Sequence, residues 1–184
     1  MPGTTPRGYP YPLYTEANNF PTQDQNLANA IDSDVQTNLV TAVNSALNQP
    51  ACRAADSGGT QTLTTGVVAT VTFPFEVFDN ANIFNPGVST TNFTIPTTGF
   101  WMVMAYVTFN NNSNGGGRHV DMRVGGAIFC SKTLAGVSGD FTQVSFTHLK
   151  EFTAGNVVTF TALQNSGAND DISSRAVSLV RVSG

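Results

Sequence analysis

The sequence predicts an all-β sandwich that is preceded by an N-terminal segment of a different kind. From Ala51 onward, apolar and polar residues alternate with a period of two, which is typical of strands that bury one face. Turn-forming clusters such as Asn114 to Gly117 separate these stretches at short intervals. No stretch beyond residue 50 has the period of a helix, which excludes an α/β fold. We expect about eight to ten strands in a sandwich or barrel.

The composition limits the partners of the protein. The chain has 184 residues, of which 11% are charged, and its formal net charge is −4. The basic residues are scattered, whereas nucleic-acid binding needs clustered Lys and Arg, so we expect no nucleic-acid partner. No apolar run approaches the ~20 residues of a membrane span, and the first residues lack the apolar core of a secretory signal. We therefore expect no membrane insertion and a protein that is made in a cytoplasm.

Residues 1–21 are predicted to form an extended arm. They contain five of the nine prolines, and proline is excluded from helix and sheet interiors. Aromatic residues, which bury large areas on contact, lie among these prolines: Tyr9, Tyr11, Tyr14 and Phe20. This combination favours an arm that binds another surface; the alternative is a disordered terminus.

Residues 22–50 are predicted to form a helical attachment segment. Thr22 and Gln25 have the spacing of a capping box. Apolar residues recur at every fourth position, at Leu27, Ile31, Val35, Leu39, Val43 and Leu47. Each four-residue step advances about 400°, so this stripe drifts by ~40° per step and suits a curved surface or a short bundle. The helix propensity is modest, so we expect the helix to be ordered by contacts of residues such as Leu27 and Ile31, with a break near Asn38.

The segment from Phe100 to Phe109 departs from the alternating pattern. It reads FWMVMAYVTF, and only Thr108 is polar. One face of an antiparallel sandwich strand normally meets water, so the outward face of this strand needs a cover. The pattern does not decide whether the set of Trp101 or the set of Met102 points outward. A long loop is one possible cover, and a subunit interface is the better explanation. The predicted interface residues are Phe100, Trp101, Met102, Met104, Tyr106 and Phe109.

Residues 51–184 carry four short motifs that, in this order, resemble the C1q/TNF-like jelly-roll family. The early strands correspond to Val71–Phe73 and Val77–Asp79, and the segment from Phe93 to Phe100 is similar to the signature F-x-x-P-x-x-G-x-Y/F. Val124-Gly125-Gly126 resembles a V-N-G hairpin, and Leu149 to Val158 resembles L-x-x-G-D-x-V with Asn in place of Asp. The final strand, Ala176 to Val182, lacks the family's usual aromatic residue. The resemblance implies a ten-stranded jelly roll that assembles as a three-fold homotrimer.

The N-terminal segment resembles a second group of proteins. Gly8 to Pro12, followed by Gln25 to Asp32, is similar to the G-x-P-Y-P … D-x-x-x-L-A-x-A-I/L-D opening of bacteriophage structural proteins. The resemblance implies a virion protein that is assembled in the host cytoplasm and attached to the major capsid protein or to tail proteins. The chain is short and has no repetitive shaft. This favours capsid decoration or a head fibre over a minor tail component.

Two other functions stay open at this stage. A receptor-binding module of a tail fibre would recognise a host-surface glycan or protein with loops near residues 110–118, 135–141 and 164–174. The only aromatic residue in those loops is Phe141. A cellular C1q-like ligand is less consistent with the sequence, because neither a secretory signal nor a collagen-like stalk is visible.

Residues that could carry chemistry are sparse. Asp121 and His119 share one strand face, and without a nucleophile they predict a surface hydrogen bond. His148 lies in another strand. Asn169, Asp170 and Asp171 could offer oxygen ligands to calcium, but a solvated hairpin turn is the preferred interpretation. We therefore predict a protein that is not an enzyme and needs no cofactor or metal. Cys52 and Cys130 form either two separate thiols or one bridge.

Overall fold

The computed structural model of the chain consists of two compact units, Met1–Gln49 and Pro50–Gly184. It describes residues 3–4, 10–11, 20–40, 43, 48–56, 58–110 and 114–183. The N-terminal unit contains a short antiparallel ladder between β1 (Gly3–Thr4) and β2 (Pro10–Tyr11). It also contains a helix, α1 (Phe20–Asp34), which continues as a π-helix over Val35–Val40.

The predicted start of the helix is wrong by two residues. Because α1 begins at Phe20, Thr22 lies inside the helix and not at its N-cap position. Pro21 explains the earlier start. Proline is favoured in the first turn of a helix, because an N–H group at that position would have no acceptor within the helix. The side chain of Gln25 donates instead to Asn29 Oδ1 at 3.0 Å. The backbone changes to a π-helix at Val35, a few residues before the predicted break.

The arm is not a single extended strand, because Gly3 pairs with Tyr11 and Thr4 pairs with Pro10. Proline is tolerated there because both strands are edges. Tyr9 and Tyr14 lie outside the described residues.

The second unit is a sandwich of two antiparallel sheets, as predicted. Its strands are β3 (Ala51–Asp56), β4 (Gln61–Leu63), β5 (Ala69–Thr70), β6 (Phe75–Asp79), β7 (Phe93–Thr94), β8 (Gly99–Phe109), β9 (Gly117–Val124), β10 (Ala127–Ala135), β11 (Thr142–Phe152), β12 (Val157–Gln164) and β13 (Asp170–Ser183). The six-stranded sheet has the order β11-β8-β13-β3-β6, with β4 beside β13. The five-stranded sheet has the order β10-β9-β12-β5, with β7 beside β12.

One core lies between the two sheets. The predicted alternation is confirmed where it buries Val120 and Met122 of β9 and Phe160 of β12. Phe73, Phe84, Phe93 and Phe160 form a cluster with ring centroids 4.6 to 6.0 Å apart. Such aromatic pairs add ~0.5–1.5 kcal/mol each beyond the area that they bury.

Apolar and polar residues alternate from Val67 to Phe73, but the strand in this segment is much shorter than that pattern predicts. Only Ala69 and Thr70 form a ladder, and Val67 and Val68 are exposed. Val71 and Phe73 are buried, as their alternation predicted, but their N–H groups bond to isolated carbonyl groups of Phe160 and Thr90. A turn with Gly66 at positive φ precedes this segment, and Pro74, which has no N–H, follows it.

Candidate functional site

The outer face of the six-stranded sheet exposes large apolar side chains, whereas a water-facing sheet normally exposes polar ones. Along β8, Phe100, Met102, Met104 and Tyr106 point away from the core. Phe100 is 44% exposed and Met104 is 36% exposed. These four residues were predicted as interface residues, and the structure leaves them available for contact with a partner. The interface itself stays a prediction.

Trp101 and Phe109 do not belong to this face. Both side chains are fully buried between the sheets, so the prediction that they contact another subunit is wrong. Trp101 Nε1 donates to the carbonyl oxygen of Thr97 at 3.2 Å, which satisfies its polar atom inside the subunit. Period-two alternation assigns the two residues to one set with Val103, but it cannot say which set faces the core.

The apolar surface continues across the neighbouring strands. The register places Leu149 of β11, Met102 of β8, Val180 of β13 and Ala51 of β3 side by side on the outer face. Leu149 is 61% exposed. Leu149 and Val180 were not among the predicted interface residues, and Leu149 alternates in β11 on the same face as the polar residues Thr147 and Glu151. Only the strand order shows that these residues lie beside β8.

The far edge of the same sheet is also apolar. Phe75 and Phe78 of β6 lie opposite Ala55 and Arg53 of β3, and they are 62% and 50% exposed. Edge strands of soluble proteins are usually short, charged or covered, because their free backbone groups can pair with another chain. β6 is short, but its exposed phenylalanines call for a cover. In the sequence, this apolar edge is indicated by the run Phe75–Phe78, which has few polar residues.

An open hollow of about 510 Å³ interrupts this face. It is lined by side chains that include Arg53, Met104, Tyr106, Gln143, Ser145 and Lys132. The Nζ atom of Lys132 donates to the carbonyl oxygen of Ser145 at 2.7 Å, which fixes its position in the lining. The hollow gives the apolar face a recess that can receive a protruding side chain.

The opposite, five-stranded sheet carries a polar network around Asp121. Asp121 Oδ1 accepts hydrogen bonds from Ser131 and from His119 Nε2, the latter at 2.7 Å. Its Oδ2 accepts from Thr161 at 3.2 Å and from Arg123 at 3.4 Å. Burial by itself would raise the pKa of Asp121, but the hydrogen bond from Ser131 and the charge of His119 hold it below its usual value. The predicted pairing of His119 with Asp121 is confirmed.

The structure also supplies a hydroxyl that the sequence pattern did not reveal. Nδ1 of His119 lies 2.6 Å from Thr133 Oγ1, and its Nε2 lies 2.7 Å from Asp121 Oδ1. Thr133 lies opposite His119 in the β9–β10 ladder. The arrangement is a hydrogen-bond network that joins β9 to β10 on the outer face of the five-stranded sheet.

Two ion pairs are buried inside the sandwich. Arg118 lies 2.9 Å from Asp170, and Arg175 lies 2.7 Å from Asp56. The prediction that Asp170 belongs to a solvated turn is wrong, because Asp170 is the first residue of β13 and is only 5% exposed. Its pairing with Leu63 of β4 draws it into the sheet. Burial raises the pKa of Asp170 in spite of the Arg118 charge.

Within the residues that the structure describes, no group of three or more His, Cys, Asp or Glu side chains could hold a metal ion. Calcium independence stays a prediction. In the same residues, no helix is long and apolar enough to cross a membrane.

Cys52 and Cys130 are two free thiols, so the bridge that the sequence left open is not formed. Cys52 is buried, and burial raises its pKa to about 12. Cys130 is half-buried on β10, and its Sγ lies 2.9 Å from Nε2 of His148 on β11.

Comparison with known proteins defines the fold of this sandwich. No protein-family model matches the chain, and no curated protein matches it. Among solved structures, the globular domain of zebrafish complement 1qA superposes with a TM-score of 0.52 and 13% identity, over 71% of this chain and 94% of that chain. Murine APRIL at pH 8.0 gives a TM-score of 0.53 and 11% identity, over 73% and 99% of the two chains. The Eiger TNF of S. frugiperda gives a TM-score of 0.54 and 8% identity, over 72% and 92%.

The sandwich is therefore an antiparallel jelly roll. It has the C1q/TNF-like form that the sequence motifs predicted. At these identities the similarity defines the fold alone.

Proposed function

We propose that this chain is a non-enzymatic structural protein on the exterior of a bacteriophage particle. In this proposal it forms a homotrimer, and its N-terminal arm attaches the jelly-roll knob to the particle. Within this proposal, capsid decoration or a head fibre is preferred, and a tail component is the other location. The observation that carries the proposal is the exposed apolar outer face of the six-stranded sheet.

That face favours association because it exposes large apolar side chains. Covering apolar surface contributes roughly 25 cal/mol per Å², and stable interfaces bury on the order of 1,200–2,000 Å² in total. The exposed side chains of Phe75, Phe78, Phe100, Met104 and Leu149 lie on one sheet and can be covered together. The number of subunits, three, comes from the resemblance to C1q/TNF-like domains.

Attachment through the N-terminal segment is supported by its chemistry. Prolines hold a chain in an extended form at little entropic cost, and the tyrosines among them supply contact area. Leu27 is half-buried and Ile31 is 44% exposed on α1, so apolar surface remains for a partner on the particle. Three arms on one trimer would raise the avidity by ~10²–10⁴ over a single arm.

The attachment is tested with particles that lack this protein. Full-length protein and a truncation without residues 1–50 are mixed with the particles, and occupancy is measured after sedimentation. We expect the full-length protein to bind and the truncation to stay in the supernatant. Changing Tyr9, Tyr11 and Tyr14 together to Ala should weaken binding while the melting of the knob is unchanged. A truncation that reaches wild-type occupancy would show that the knob is the anchor.

One observation favours the second candidate, a receptor-binding module of a tail fibre. Val137 and Phe141 lie in the loop between β10 and β11 and are 56% and 55% exposed. Exposed apolar side chains in loops are a common means of recognising a host-surface glycan or protein. If Phe141→Ala reduces adsorption of whole particles to host cells at unchanged occupancy, the knob is a receptor-binding module.

A further inference from the structure

Cys130 and His148 form a pair at the edge where the two sheets come together. Cys130 lies on β10, the edge strand of the five-stranded sheet, and His148 lies on β11, the edge strand of the other sheet. The 2.9 Å between Sγ and Nε2 is hydrogen-bond distance, and both side chains are partly exposed. The pair is separate from the apolar outer face, because His148 alternates with the outward residues Thr147 and Leu149 of β11.

Aromatic rings hold the imidazole in place. The Phe129 ring meets His148 edge-on at 5.8 Å, and the Phe146 ring lies 6.3 Å from it. The Lys150 ammonium sits over the Phe129 ring at 4.2 Å. A thiol beside an imidazole whose orientation is restrained is the arrangement of an activated nucleophile and its base.

The charges around the Cys130 thiol explain why its reaction would depend on a base. Burial and the Asp121 carboxylate raise the pKa of Cys130, and the Lys132 charge opposes them only in part. At neutral pH the sulfur therefore carries its proton. Thiolates react and thiols do not, so a neighbouring proton acceptor controls the reactivity of such a cysteine.

We propose that Cys130 is a modification site for disulfides, with His148 as its general base. His148 Nε2 takes the proton of Cys130 as Sγ attacks one sulfur of the disulfide. The new Sγ–S bond forms, the S–S bond of the reagent breaks, and the leaving thiolate receives the proton from His148. One disulfide is consumed, and one mixed disulfide and one thiol are formed, so no other oxidant is needed.

The test uses the full-length protein and Ellman's reagent, an aromatic disulfide whose released thiol is coloured. We expect one fast-reacting thiol per chain in the native protein, with Cys52 reacting only after denaturation. Cys130→Ser should abolish the fast phase, and His148→Gln should slow it at least about tenfold. Thr147→Gln is the matched control, because it places the same side chain next to position 148 on the opposite face of β11 and should leave the rate unchanged.

The pH profile gives a second measurement that does not depend on a variant. With general-base catalysis, the wild-type rate at neutral pH exceeds the rate expected from the thiolate fraction of an ordinary cysteine. If Cys130 does not react with Ellman's reagent in the native protein, whatever its oligomeric state, the proposal is overturned. Equal rates in the wild type and His148→Gln, or a wild-type rate that follows the thiolate fraction at every pH, would also overturn it.

Discussion

Met102 of β8 and Leu149 of β11 lie directly opposite each other in the antiparallel ladder, and both side chains project from the outer face of the six-stranded sheet. Leu149 is 61% exposed although its cross-strand neighbour is apolar. Cross-strand apolar pairs contribute ~0.2–1 kcal/mol, and much more apolar area is gained when such a pair is covered. This surface is what a partner subunit would cover.

A charge in the middle of this face should prevent association. We expect Met104→Glu to raise the dissociation constant of the oligomer at least tenfold, which corresponds to about 1.4 kcal/mol, because the carboxylate would lose its hydration when the face is covered. Thr159→Glu, on the outward side of β12 in the other sheet, is the matched control and should associate as the wild type does. Sedimentation velocity over a concentration series measures both. If the Met104→Glu variant associates as the wild type does, this face is not the interface.

The buried pair of Arg118 and Asp170 should stabilise the subunit itself. Asp170→Asn leaves the Arg118 charge without its counter-ion, and we expect the free energy of unfolding to fall by about 3–5 kcal/mol. The neighbouring variant Asp171→Asn touches no buried ion pair and should change it by less than about 1 kcal/mol. Urea denaturation measures the two. Equal, small effects would show that the pair is not important for stability.

The lowered pKa of Asp121 should make the stability of the folded protein depend on pH. Its pKa is lowered in the folded state, so its contribution is present above the unfolded value of about 4 and is lost as the pH falls through the lower folded value. We expect the stability advantage of the wild type over Asp121→Asn to be full at pH 6 and to shrink below about pH 4. Asp140→Asn, an exposed position, should run parallel to the wild type. A gap between wild type and Asp121→Asn that stays constant down to pH 2 would contradict the assignment.

Calcium should not affect folding. Asp170 is engaged with Arg118, so Asp170 and Asp171 cannot converge on an ion without breaking that pair. Thermal melting curves in chelator and in excess calcium should therefore coincide. A ligand at a hundred times its dissociation constant adds ~2.7 kcal/mol to the stability of the folded state, which is easily seen. A rise of that size with calcium would identify the two aspartates as ligands.

The sequence was sufficient for the fold class because strand alternation is a local property. Val120, Met122 and Phe160 show the correct buried face from their spacing alone. The same rule could not orient the strand from Phe100 to Phe109, since both of its faces are apolar. The strand order, which depends on contacts between distant segments, had to decide that Trp101 faces the core and Met102 faces outward.

The errors at charged and capping residues have the same origin. Asp170 stands in a turn-forming sequence, but pairing with β4 and the distant Arg118 place it in the interior. The capping box of Thr22 has the right spacing, and the neighbouring Pro21 shifts the helix start. The Cys130–His148 contact joins strands 18 residues apart and depends on how the two sheets meet.

The molar mass of the jelly-roll unit tests most directly whether the apolar sheet face is a subunit interface. Residues 51–184 have their own core and form a separate compact unit, so the fragment can be studied alone. Light scattering on the purified fragment at micromolar concentration should give three times the mass of one subunit. A folded, soluble monomer under these conditions would contradict the proposal.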